Sequence, residues 1–121
     1  MILSKRFRFE AAHRLPHHQG KCATLHGHSY GLRVSLQVEV DPETGMGCDF
    51  AELDEVVRAR VLDRADHQNL NDIMENPTAE MICCWIWEQL DNAVPGRLVE
   101  IELHETEDSS CVYRGPAAGR S

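Results

Sequence analysis

The stretch His26-Gly27-His28-Ser29-Tyr30-Gly31-Leu32-Arg33-Val34-Ser35-Leu36-Gln37-Val38-Glu39-Val40 alternates without a break. Its even positions read His, His, Tyr, Leu, Val, Leu, Val, Val, and its odd positions read Gly, Ser, Gly, Arg, Ser, Gln, Glu. A period of two belongs to a β-strand with one buried face. The core-facing row of this strand therefore begins with two histidines. Asp41-Pro42-Glu43-Thr44-Gly45 is turn chemistry and ends it.

Working outward, Phe7, Phe9, Ala11 and His13 share one face of a preceding strand, with Arg6, Arg8 and Glu10 on the other. After the turn, Asp49 and Glu52 have the spacing of a capping box. Leu53, Val56, Val57 and Val61 then recur at helical spacing, which predicts an amphipathic helix over 50–63. Residues 64–77 carry no period and read as loop. Pro77 suits a first helical turn, and Ile82, Trp85, Ile86 and Leu90 form the stripe of a second helix that closes near Pro95-Gly96. A third alternating run puts Val99, Ile101, Leu103 and Glu105 on one face, and 111–114 read as a return strand. The order ββααββ is that of an α+β fold with an antiparallel sheet and two helices packed on one face. One domain over 1–115 and a frayed tail over 116–121 are expected.

A net charge of −8 and the absence of a long apolar run exclude nucleic-acid and membrane partners. The N-terminus lacks a signal-peptide pattern, so a cytoplasmic location is the default. Five cysteines, two of them adjacent, form no disulfide framework and no CxxC metal site. Charge is uneven: residues 1–40 carry +4 (six Lys/Arg, two acids) and 41–121 carry −12 (six and eighteen). Between 13 and 28 stand Arg14, Lys21 and five histidines with no acid, a setting for a small anionic ligand or plain surface scatter.

The chemistry centres on three histidines. His26 and His28, two apart on a strand, point to one face, and a hairpin pairing brings His13 beside them. Three neutral imidazoles with an open fourth position are the pattern of a catalytic zinc site; the alternative is three interior histidines satisfied by hydrogen bonds. Cys22 lies four residues before His26, where a thiol beside histidines or a metal gains thiolate character, although a loop cysteine is often incidental. Asp66-His67 sits in the aperiodic segment, either as a carboxylate-oriented proton relay or as a cap beside an exposed ring. Glu105 continues the apolar row of its strand. A carboxylate there is costly unless paired and suits a guanidine-like edge; if the strand frays, it is solvated.

Taken together, the strings Phe9-Glu10-Ala11-Ala12-His13-Arg14-Leu15, Cys22-Ala23-Thr24-Leu25-His26-Gly27-His28-Ser29, Asp49-Phe50-Ala51-Glu52-Leu53, Asp66-His67, Leu70-Asn71-Asp72, Glu75-Asn76-Pro77-Thr78-Ala79-Glu80 and Tyr113-Arg114-Gly115 resemble the 6-pyruvoyl-tetrahydropterin synthase family. The likeness is greatest to its bacterial carboxy-forming branch, which serves queuosine (7-deazaguanine) biosynthesis. The resemblance implies a tunnelling fold whose subunits form trimeric barrels that stack into homohexamers. It implies Zn2+ on His13, His26 and His28, Cys22 as general base, and His67 with Asp66 as proton relay. It further implies Glu105 as anchor of a pterin ring, aided by Thr78 and Glu80. The implied substrate is the pterin 7,8-dihydroneopterin triphosphate, and the implied products are 6-carboxy-5,6,7,8-tetrahydropterin, acetaldehyde and triphosphate. The alternatives are the pyruvoyl-forming activity and a non-catalytic zinc-binding oligomeric scaffold. Triphosphate contacts stay open among Arg14, His17, His18 and Lys21.

Overall fold

A computed structural model describes residues 1–116. The expected tail, from residue 117 onward, lies outside the described residues. β1 (Ile2–His13) and β2 (His26–Gln37) form a long antiparallel pair in unbroken register from Ile2↔Gln37 to His13↔His26. Residues directly opposite share a face, so Phe7 and Leu32, Phe9 and Tyr30, and Ala11 and His28 all point to the side that the helices cover. Phe9, Tyr30, Leu32, Val34 and Leu36 are buried there. Each such side chain contributes about 1.5–3 kcal/mol through removal from water.

α1 (Phe50–Val57) starts where expected. Asp49 caps it, its Oδ1 accepting the Ala51 N–H at 2.8 Å. The helix then widens into a π-helical segment, Arg58–Leu62, and closes with the turn Asp63–Ala65. Leu53, Val57, Val61, Leu62 and Ala65 are buried. The loop reading of 64–77 is broken by the helical Arg64 and Ala65, by a 3-10 turn (Leu70–Asp72) and by β3 (Gln68–Asn69), which pairs parallel to β1 at Ala11 and Ala12. A pair that short leaves no periodic trace, and it makes the otherwise antiparallel sheet mixed.

α2 (Ala79–Leu90) begins two residues later than Pro77, because Thr78 is the cap and its hydroxyl accepts the Met81 N–H at 3.1 Å. Its buried stripe is Ile82, Cys83, Ile86, Trp87 and Leu90. Trp85 stands on the flank under the Arg64 guanidinium, and Trp87 takes the buried place beside Tyr113. β4 (Arg97–His104) and β5 (Ser110–Tyr113) complete the sheet in the order β3-β1-β2-β4-β5. Opposite Ser35 and Leu36 the register skips one residue, from Glu100 to Leu98. This β-bulge leaves Val99 over and turns Leu98 into the core in its place. Just beyond β5, Gly115 has φ +98° and passes so close to Trp87 that a Cβ would stand 2.6 Å from the indole.

Candidate metal centre

The β1–β2 register brings the three histidines together. His13 faces His26 directly, and His28 lies one pleat further on, opposite the small side chain of Ala11. The three rings meet edge to face, with centroids 4.6 Å (His13–His26), 5.0 Å (His13–His28) and 4.9 Å (His26–His28) apart. One nitrogen from each lies within 4.8 Å of the other two.

Hydrogen bonds set the tautomers. His13 Nδ1 lies 2.7 Å from the Pro77 carbonyl and His26 Nδ1 lies 2.7 Å from the Thr24 carbonyl. A carbonyl only accepts, so each Nδ1 carries a proton, and in the neutral ring each Nε2 presents a lone pair. Those two Nε2 atoms are 3.1 Å apart. Two acceptors facing each other at that distance repel unless a cation stands between or beside them. His28 Nε2 is buried and has no hydrogen-bond partner among the described residues. Carbonyl-oriented imidazoles with converging free nitrogens are the arrangement that metal sites use. The donor set fits a metal ion with all-nitrogen protein ligands.

Glu105 joins the cluster. β4 ends at His104, and just past it the Glu105 Oε1 lies 3.5 Å from His28 Nε2, with its side chain 27% exposed. Burial lowers the His28 pKa; the Glu105 carboxylate partly opposes this, and the two neighbouring imidazoles add to it. Tyr30 lies beneath, fully buried, its ring stacked on Phe9 and its hydroxyl 3.2 Å from His13 Nδ1. Burial and then Glu105 push its phenol far up, so it stays protonated.

The remaining expected residues are not part of the three-histidine cluster. Cys22 is half-buried in a single 3-10 turn, Lys21–Ala23, on the loop that links the histidine-bearing strand ends. Its carbonyl accepts the Leu15 N–H at 2.9 Å. Asp66 is pinned to β1, its Oδ1 accepting the Glu10 N–H at 2.8 Å. Its other oxygen is 3.7 Å from Nε2 of the exposed His67, whose backbone N–H bonds to the Glu10 carbonyl. His67 and His28 both line a cavity of about 550 Å3 with Gly27 and Gln68. Thr78 caps α2 and Glu80 is exposed in its first turn. Arg14, His17 and His18 are exposed on the connecting loop; the Lys21 side chain lies outside the described part.

Three contributors escaped the sequence reading. The carbonyls of Pro77 and Thr24 orient two rings, and backbone atoms leave no side-chain signal. Tyr30 was visible as a row member, but its hydroxyl contact with His13 follows only from the strand register.

Comparison with known proteins bears on this geometry. The chain matches the family described as 6-pyruvoyl tetrahydropterin synthase over residues 2–116. It is 44% identical over 122 residues to the 6-carboxy-5,6,7,8-tetrahydropterin synthase of Synechocystis sp., covering 95% of this chain and 94% of that one. It is 36% identical over 130 residues to the 6-pyruvoyl tetrahydrobiopterin synthase of Dictyostelium discoideum, covering 95% and 96%. The solved structure of Caenorhabditis elegans 6-pyruvoyl tetrahydropterin synthase superposes with a TM-score of 0.86 at 31% identity, covering 96% of each chain.

Proposed function

Because the chain belongs to the 6-pyruvoyl tetrahydropterin synthase family, we propose that it is a zinc-dependent lyase acting on 7,8-dihydroneopterin triphosphate in queuosine biosynthesis. The assigned reaction consumes water and yields 6-carboxy-5,6,7,8-tetrahydropterin, acetaldehyde and triphosphate. It needs no outside oxidant. The carbon next to the pterin becomes a carboxyl group, while the ring and the carbon that loses triphosphate are reduced.

The observation that carries this reading is the 3.1 Å approach of the Nε2 atoms of His13 and His26, beside the buried Nε2 of His28. Zinc held by these three would polarise the side-chain hydroxyls of the substrate. Cys22 acts as the general base that takes a proton from the carbon next to a hydroxyl-bearing one. Asp66 holds the segment that presents His67, and the two relay protons. Glu105 grips the two N–H donors of the pterin edge. Thr78 and Glu80 assist from the start of α2; the Thr78 oxygen already accepts from Met81, so its O–H proton is the part left to donate. The working unit is a homo-oligomer built from trimers, a hexamer, in the cytoplasm.

The carboxy product is favoured over the pyruvoyl one by two features: the 44% identical relative of that name, and the three residues that separate Cys22 from His26. The test is mass spectrometry of the product from dihydroneopterin triphosphate, with a hydrazine trap for acetaldehyde. The carboxylated pterin with trapped aldehyde is expected. A pyruvoyl product without aldehyde would move the chain to the other activity, and zinc binding without turnover would leave a scaffold.

A further inference from the structure

The Nδ1–H of His13 has two oxygens within reach: the Pro77 carbonyl at 2.7 Å and the Tyr30 hydroxyl at 3.2 Å. The carbonyl has no proton to give, so the hydrogen lies on His13 and the Tyr30 oxygen is its second acceptor, in a three-centre arrangement. His13 and Tyr30 are both fully buried. Tyr30 is itself fixed. It sits in the middle of β2, its ring stacks on Phe9 at 4.9 Å, and it meets His13 and His28 edge-on at 6.1 Å and 5.6 Å. One acceptor restrains an imidazole along a line but leaves the ring free to tilt about it. A second acceptor from another direction removes that freedom.

We infer that Tyr30 is a positioning residue for the metal centre: its hydroxyl, with the Pro77 carbonyl, clamps the His13 ring so that Nε2 converges on the nitrogens of His26 and His28. The inference rests on the proposed metal role of the three histidines. Tyr30 is fully buried, so its effect passes through His13.

Tyr30→Phe keeps the stacked ring and removes only the hydroxyl. Zinc affinity, measured by competition with a chelator of known strength, should fall by about 10-fold or more, the scale at which loss of a group behind a metal ligand acts. Metal-free circular dichroism should stay that of the wild type. Phe9→Leu is the packing control, since it loosens the stack and leaves the hydroxyl; its zinc affinity should fall much less. Wild-type affinity in Tyr30→Phe, or equal losses in both variants, would overturn the inference. A wild-type protein that binds no zinc would overturn the metal reading beneath it.

Discussion

Glu105 Oε1 stands 3.5 Å from the otherwise unpartnered Nε2 of His28, so the carboxylate at the end of β4 and the imidazole in β2 answer each other across the sheet. Burial is the largest influence on His28 and lowers its pKa, while Glu105 opposes the shift. A lowered histidine means that the unfolded chain takes up the proton first. This part of the stability is complete above the unfolded value of about 6.5 and is lost as pH falls through the folded one. In metal-free Glu105→Gln the opposing carboxylate is gone and the folded value drops further. Thermal melts between pH 7.5 and 5 should therefore lose more stability than the wild type does. An identical pH profile would mean that the two groups do not interact.

Glu105→Gln should also weaken the substrate. One acceptor becomes a donor, which spoils a two-pronged match to the pterin edge. A cost of about 1.5–3 kcal/mol, the range for a hydrogen bond to a charged group, is expected in the affinity for dihydroneopterin triphosphate. Titration calorimetry with an unreactive pterin analogue reads it directly. Unchanged affinity would confine Glu105 to His28.

Purified protein should hold about one zinc per chain, as expected for three imidazoles sharing one ion. His28→Ala should lose most of it, and metal analysis after dialysis gives the answer. Full occupancy in that variant would remove His28 from the ligand set.

Cys22→Ala should keep zinc and melting temperature while turnover falls by about 10²-fold or more, the size of lost general-base assistance. Its half-buried place on a loop predicts little structural cost. Near-normal turnover would require another base.

Thr78→Ala should destabilise the fold by about 0.5–2 kcal/mol, because α2 loses its cap. Thr78→Ser should recover most of it in urea denaturation. If stability is unchanged while pterin binding weakens, the hydroxyl serves the substrate more than the helix.

Much of this was legible in the residues. Strict alternation specified β1 and most of β2, which stops at Gln37 and leaves Val40 exposed, and with them the meeting of His13, His26 and His28, because one register fixes every facing pair. Glu105 was found through the same row logic, although the row was misread at its far end: the bulge at Val99 shifts the phase, and a one-residue slip exchanges faces. Trp85 and Trp87 exchanged places because both suit the edge of a helical stripe, and packing against Tyr113 and Gly115 decides between them. The π-helical Arg58–Leu62 kept the apolar spacing of an ordinary helix, so nothing in the pattern marked it.

The antiparallel pairing of β1 with β2 also has a consequence for the chain entropy of assembling the centre. His13 and His26 are 13 positions apart in the chain, whereas His13 and Pro77 are separated by 64. Loop-closure entropy grows as the logarithm of separation, so bringing Pro77 to His13 costs about 1.4 kcal/mol more than closing the hairpin. The three histidines are thus neighbours along the chain, and the carbonyl that orients His13 is not. Closing the hairpin that gathers the three imidazoles therefore costs less chain entropy than seating the Pro77 carbonyl against His13.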